Sequence, residues 1–225
     1  MISRLLYTGK LGADLVIFDL DGTLVDSKQD LCNSVNATRK YVGLETLPDD
    51  VVASYVGNGA PVLIKRAMGE GAAEAQLEEA LAYFLGYYRQ HMLDFTREYP
   101  GVRECLAALH AKRTRMAVLT NKPVQFSKDI QVGLQLDRYF FQVYGVNSFV
   151  EKKPHPVGID KLIEEAGVAR ERTWMVGDSS VDVLTARNAQ VKSVGVTYGL
   201  KPYTLNEAPP DLLLDSLADL PAHIG

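Results

Sequence analysis

Apolar and polar positions along this chain fall into two rhythms. Leu15-Val-Ile-Phe-Asp-Leu20 is a continuous apolar run broken only by Asp19, the pattern of a strand covered on both faces in a parallel sheet. The same format returns at Met116–Leu119, Trp174–Val176 and Ser193–Val196, with a weaker copy at Phe141–Tyr144. Between these runs Val102, Cys105, Leu106 and Leu109, and later Ile159, Leu162, Ile163 and Ala166, recur at i, i+3, i+4, i+7. That spacing predicts helices with one buried face. Strand followed by helix, repeated, predicts an α/β fold built on a doubly wound parallel sheet of Rossmann type.

Residues 28–98 break the rhythm. They carry helical spacings such as Leu77, Leu81, Phe84, Leu85 and Tyr88 but no buried strand, so an α-helical cap inserted at 27–98 is expected, with a core made of 1–26 and 99–225. Ser27 with Asp30 three residues on reads as a helix-start capping box, and Tyr99-Pro100-Gly101 punctuates the return to the core.

Composition narrows the class of protein. At 225 residues, with 47% hydrophobic and 23% charged residues, the chain is an ordinary globular sequence. A net charge of −4 with scattered Lys and Arg gives no field for gripping nucleic acid. Cys32 and Cys105 lie far apart without Cys-x-x-Cys or matching His spacing, which argues for buried thiols rather than disulfides or zinc. The apolar patch at Leu5–Tyr7 is too short for a signal peptide, and no stretch approaches the ~20 apolar residues that span a bilayer. A cytoplasmic protein without membrane partners is expected, as monomer or homodimer.

The chemistry sits where strands end. Asp19-Leu-Asp-Gly-Thr23 follows the first strand directly, at the carboxyl edge where such sheets bind ligands. A carboxylate with an ordinary pKa near ~4 is ionised at neutral pH and can attack phosphorus without an activating base. Asp19 is therefore the candidate nucleophile, and Asp21, two residues on, can donate a proton to a leaving alkoxide and later activate water. The competing reading is an acidic turn opened by Gly22. Val176-Gly-Asp-Ser-Ser-Val-Asp182 repeats the arrangement; Asp178 and Asp182, four apart, can face one site if a helix starts between them, although one of them could instead cap that helix. Four carboxylates at one edge call for a cation, and all-oxygen ligands favour Mg²⁺. Thr120-Asn121 offers a hydroxyl and main-chain N–H groups to phosphate, and Lys153, in Lys152-Lys-Pro-His-Pro156, offers a positive charge; each alone would pass for a turn or a solvated loop.

Four such motifs in order resemble the haloacid dehalogenase superfamily of phosphatases, and within it the phosphoglycolate phosphatases: Phe18–Asp26, Leu119–Asn121, Lys152–Pro156 and Val176–Asp182. The resemblance implies that Asp19 is nucleophile and metal ligand, and that Asp21 is acid/base and binds the metal through its main-chain carbonyl. Asp178 would be a further ligand, with Asp182 supporting, while Thr120, Asn121 and Lys153 hold the phosphoryl group of a small phosphate ester. Tyr55-Val-Gly-Asn-Gly-Ala-Pro61 resembles a substrate loop, which makes Gly57, Asn58 and Gly59 candidate substrate contacts, with Arg66 or Lys65 as a cation beyond them. A plain turn and solvated surface charges are the alternatives. The substrate implied is 2-phosphoglycolate; pyrophosphate, a sugar phosphate, a nucleotide, a mutase reaction or a non-catalytic phosphate-binding regulator remain open.

Overall fold

The computed structural model describes residues 12–224; the short apolar patch at Leu5–Tyr7 lies outside them. A six-stranded, all-parallel sheet forms the centre, in the order β5-β4-β1-β6-β7-β8. Its strands are β1 (Leu15–Phe18), β4 (Arg115–Leu119), β5 (Gln142–Tyr144), β6 (Thr173–Gly177), β7 (Lys192–Val196) and β8 (Leu212–Leu214). The first five are those that the apolar runs predict. The sixth, Leu212–Leu214, was not anticipated: three leucines are too short a run to separate from a loop without a neighbouring strand, and β7 supplies it.

Both faces of the sheet are apolar because both are covered. Val16 and Phe18 join one core cluster with Val118, Trp174 and Val176, whereas Leu15 and Ile17 join another with Ala117, Leu119 and Met175. Helices α5 (Val102–Ala111), α6 (Val124–Gly133), α7 (Val157–Ala166), α8 (Ser180–Asn188) and α9 (Leu220–Ile224) flank the strands, placing Leu106 and Leu109 of α5 in the first cluster and Ile159 and Leu162 of α7 in the second. The expected helix faces are thus the ones buried.

After β1 the chain passes through a two-residue strand, β2 (Val25–Asp26), into four helices: α1 (Lys28–Tyr41), α2 (Asp49–Tyr55), α3 (Ala60–Met68) and α4 (Glu74–His91). It returns through β3 (Arg97–Glu98), which pairs antiparallel with β2. The expected capping box at Ser27 does not form, since Ser27 has no side-chain bond to the helix start. Its hydroxyl donates instead to Asp21 Oδ1 at 2.6 Å. Asp30 turns away to accept the N–H groups of Phe95 and Thr96 and the Thr96 hydroxyl, the last at 2.7 Å. Both side chains are fully buried, where tertiary donors and acceptors outcompete a local cap.

The topology decides where a site can be. From β1 the chain moves to β4 and β5 on one side, then crosses to β6, β7 and β8 on the other. The order reverses between β1 and β6, and a crevice opens at their carboxyl ends. Both acidic motifs leave the sheet there.

Candidate active site

Asp19 follows β1 immediately, and its N–H donates to the Val176 carbonyl of neighbouring β6 at 2.9 Å. The turn beyond it brings the two acidic loops together. Gly22 has φ +86°, and a Cβ there would overlap the Asp178 carboxylate, so both backbone conformation and close approach demand glycine. Asp19 Oδ1 accepts the Leu20 N–H at 2.7 Å and faces Lys153 Nζ at 2.9 Å. Its Oδ2 is the oxygen left uncommitted among the described residues.

On the β6 side, Asp182 does two jobs. Its Oδ2 accepts the Ser179 N–H and hydroxyl at the start of α8, at 3.2 and 2.7 Å, while its Oδ1 meets Lys153 Nζ at 2.6 Å. Helix capping and a role at the site are therefore not alternatives for this residue. Asp178 accepts the N–H groups of Leu200 and Lys201 on Oδ2, at 2.7 and 2.9 Å, so the loop after β7 also holds the crevice. Lys153, buried and gripping Asp19 and Asp182 at once, ties the two acidic loops.

One oxygen from each of Asp19, Asp178 and Asp182 lies within 4.8 Å of the others. Burial pushes the Asp19 carboxyl up to about 6, against the pull of Lys153 and with a further push from Asp182. Burial also pushes Asp178 up to about 7, helped by Asp182 and Asp19. For Lys153 burial works against the charge, but Asp182 and Asp19 outweigh it and raise its pKa. Fully ionised, three carboxylates against one ammonium would leave an excess of two negative charges in a nearly dry pocket, which is why burial and mutual repulsion hold Asp19 and Asp178 toward the neutral form; oxygen is the donor atom in every case. A hard divalent cation fits that set, and the two acids with an oxygen to spare, Asp19 and Asp178, are the ones able to hold it.

A second group surrounds Asp21. Lys122 Nζ lies 3.1 Å from both carboxylate oxygens and 2.7 Å from the Tyr88 hydroxyl. Burial opposes the charge on Lys122, yet Asp21 and Tyr88 hold its pKa above the usual lysine value. Burial pushes the Tyr88 phenol up to about 12. Neither residue was foreseen. Lys122 directly follows Thr120-Asn121, and that adjacency was the signal for it; Tyr88 sits at an apolar position of α4, and periodicity is blind to its hydroxyl.

Thr120 and Asn121 leave β4 beside the crevice, both buried. The Asn121 side chain accepts the Lys153 N–H at 3.1 Å and donates to the Lys153 and Gly57 carbonyls at 3.2 and 3.1 Å. It thus braces the lysine and the α2–α3 loop, and its main-chain N–H is what it can offer a phosphate. The 57–59 segment lies over the site: Lys152 Nζ donates to the Asn58 carbonyl at 2.8 Å, and a Cβ on Gly59 would press on the Asn121 carbonyl at 3.3 Å. Beneath it are two small cavities, about 50 Å³ beside Asp21 and Lys122 and about 20 Å³ beside Asp178 and Lys153, with Asp19, Asp21 and Gly57 lining both.

Arg66 is placed differently from the other candidates. It and Lys65 are exposed on α3, bordering an open groove with Ser54 and Tyr55 rather than either cavity at Asp19. Lys201 lines the smaller cavity instead; burial lowers its pKa, the nearby charge of Arg66 adds to this, and Asp178 opposes it. Cys32 and Cys105 are buried free thiols, pushed up by burial to about 11 and about 12, so neither is a nucleophile near neutrality.

An aspartate at the switch point, a lysine across it and two further carboxylates just beyond the adjacent strand define a recognisable class. The haloacid dehalogenase-like hydrolase family matches over residues 16–196, and the chain belongs to it. Its relatives set it among the phosphatases of that family. A phosphoglycolate phosphatase of Colwellia psychrerythraea is 38% identical over 214 residues, covering 92% of this chain and 95% of that protein. One from Agrobacterium fabrum is 40% identical over 209 residues, covering 92% and 90%. Among solved structures, one described as a predicted phosphoglycolate phosphatase from Haemophilus somnus superposes with a TM-score of 0.89 at 34% identity, covering 94% of this chain and 98% of that one.

Proposed function

We propose that this chain is a Mg²⁺-dependent phosphomonoesterase that works through an aspartyl-phosphate on Asp19, with 2-phosphoglycolate as its substrate. The observation that carries the mechanism is the crossing of Lys153 between Asp19 and Asp182, beside an Asp178 carboxylate with an oxygen to spare. Support for the substrate comes from relatives of similar length named for that reaction and from the small size of the cavity on the Asp21 side.

In this reading Asp19 Oδ2 attacks phosphorus while Lys153 and the main-chain N–H groups after Thr120 hold the phosphoryl oxygens. Asp21 gives its proton to the departing glycolate oxygen, then takes one from the water that cleaves the acyl phosphate. Mg²⁺, held by Asp19, Asp178 and the Asp21 carbonyl, would neutralise phosphate charge and screen the attacking carboxylate from it. Residues 27–98 act as a lid hinged near Asp26 and Pro100, whose 57–59 loop excludes bulk water once closed.

Asp19→Asn tests the assignment, because an amide of nearly equal volume cannot attack phosphorus. Phosphate release from 2-phosphoglycolate should fall by at least about a thousandfold with an unchanged circular dichroism spectrum. Near wild-type release by the folded variant would refute Asp19 as nucleophile. Release measured across phosphoglycolate, sugar phosphates, nucleotides and pyrophosphate tests the substrate separately.

A further inference from the structure

The larger cavity beside Asp19 is walled mainly by apolar side chains, among them Leu31, Leu63, Phe84 and Phe126. Among its described lining residues Lys122 is the one cation. A buried ammonium in apolar surroundings is costly unless it is matched, and Lys122 is matched on two sides: Asp21 at 3.1 Å and the Tyr88 hydroxyl at 2.7 Å. It also lies 4.5 Å from the centre of the Tyr88 ring. Its backbone is fixed as well. The Lys122 carbonyl accepts the Val146 N–H at 3.0 Å, and Gly145 packs so closely on that carbonyl and on Val124 that any Cβ would collide. Lys122 lines the larger cavity and Lys153 the smaller one, with Asp19 and Asp21 lining both; with Asp21 as the proton donor and Lys153 on the phosphoryl group, the Lys122 side is where the leaving group would lie.

We propose that Lys122 is the specificity-determining residue that reads a negative charge on the leaving group, held in position by Tyr88 from α4. This rests on the phosphatase reading above and narrows its substrate class to small phosphomonoesters with a carboxylate beside the ester carbon. When the ester oxygen sits within hydrogen-bond reach of Asp21, a carboxylate one carbon further along lies about 3 Å from that oxygen by covalent geometry. It can then meet Nζ directly. An uncharged alkyl group in the same place leaves the ammonium to Asp21 and Tyr88 alone and gains no ion pair. The cation foreseen on the lid at Arg66 is thus supplied from the core.

The experiment compares kcat/KM for 2-phosphoglycolate with that for ethyl phosphate, whose leaving alkoxide makes a similar demand on Asp21 but carries no charge. Wild type should favour phosphoglycolate; Lys122→Met should reduce the ratio by about tenfold or more, Lys122→Arg should retain much of it, and Tyr88→Phe should reduce it severalfold. Taking the ratio removes any change in proton transfer common to both esters. A ratio unchanged in Lys122→Met, or no preference in wild type, overturns the inference while leaving phosphatase activity intact. If no ester is hydrolysed at all, the phosphatase reading fails, and calorimetric binding of glycolate still decides the inference: wild type should bind it more tightly than Lys122→Met, and equal binding refutes the role. Should Lys122→Met not fold, Tyr88→Phe carries the comparison against wild type, and a wild-type ratio in that folded variant would overturn the inference.

Discussion

At the scale of single residues, Lys153 holds the site together. It neutralises one carboxylate from each acidic loop inside a buried cluster, so its loss would leave like charges facing each other with no compensation from water. Removing one partner of such a buried pair costs about 3–5 kcal/mol. Lys153→Met should therefore lower stability in urea denaturation by about that amount in metal-free buffer, and lower turnover by at least about a hundredfold. A variant as stable as wild type would show that the carboxylates are accommodated in another way. Gly22 makes the complementary case: it has no chemistry, yet Gly22→Ala should impair both folding and catalysis because its Cβ would overlap Asp178.

Among the elements, α1 and the segment leading into the return strand β3 are joined by a device that local pattern misassigned. Asp30 receives two main-chain N–H groups and a hydroxyl from residues 95 and 96, clasping the chain where it leaves the core to where it re-enters. Hydrogen bonds to a buried charge are worth about 1.5–3 kcal/mol, and leaving the donors unsatisfied adds to the loss. Asp30→Ala should lower the thermal midpoint by about 5–10 °C, given the shift of roughly 2–4 °C per kcal/mol for chains of this size. Differential scanning calorimetry checks this, and a change of less than one degree would mean that the clasp contributes nothing. Asp30 and Ser27 fit a capping box by type and spacing; the neighbours that claimed them, Thr96 and Asp21, are 66 and 6 residues away.

For the whole molecule, charge and fold stability are coupled through the acidic cluster of Asp19, Asp178 and Asp182. Asp19 and Asp178 have folded-state pKa values raised to about 6 and about 7 from an ordinary 3.8, chiefly by burial. Raised acid pKa values favour the folded state while the groups are protonated. In metal-free buffer that contribution is full below about pH 4 and is lost as pH rises through 6 and 7. A cation bound by the ionised carboxylates reverses the loss. The rise in Tm on adding Mg²⁺ should therefore be larger at pH 8 than at pH 5, and chelator should abolish activity that Mg²⁺ restores. Equal Mg²⁺ effects at both pH values would contradict a site built from these two acids. If residues 27–98 work as a lid, small-angle scattering should show contraction when Mg²⁺ and a phosphate analogue are added together, and identical profiles would refute lid movement.

Five of the central sheet's six strands, the flanking helices α5 and α7 and the helical character of residues 28–91 were legible in the chain because each is written in a local period, two-sided apolar runs or the i, i+3, i+4 spacing. Asp19 and Asp178 were legible for a related reason: each directly follows an apolar strand, and in a doubly wound sheet the ends of parallel strands converge on one edge; Asp21 and Asp182 stand two and four residues further on. What the sequence by itself determined was thus five strands of the sheet, two of its flanking helices, the helical character of the insert and the acids at the strand ends. The tertiary structure alone decided which of those ends meet, since the strand order places β1 against β6. It also decided that Lys122 and Tyr88, remote in the chain, share a buried bond at 2.7 Å, and that Arg66 faces outward while Lys201 lines the site. The physical reason is that a cation's role depends on burial and on partners brought from distant segments, and neither is encoded in the spacing of its neighbours.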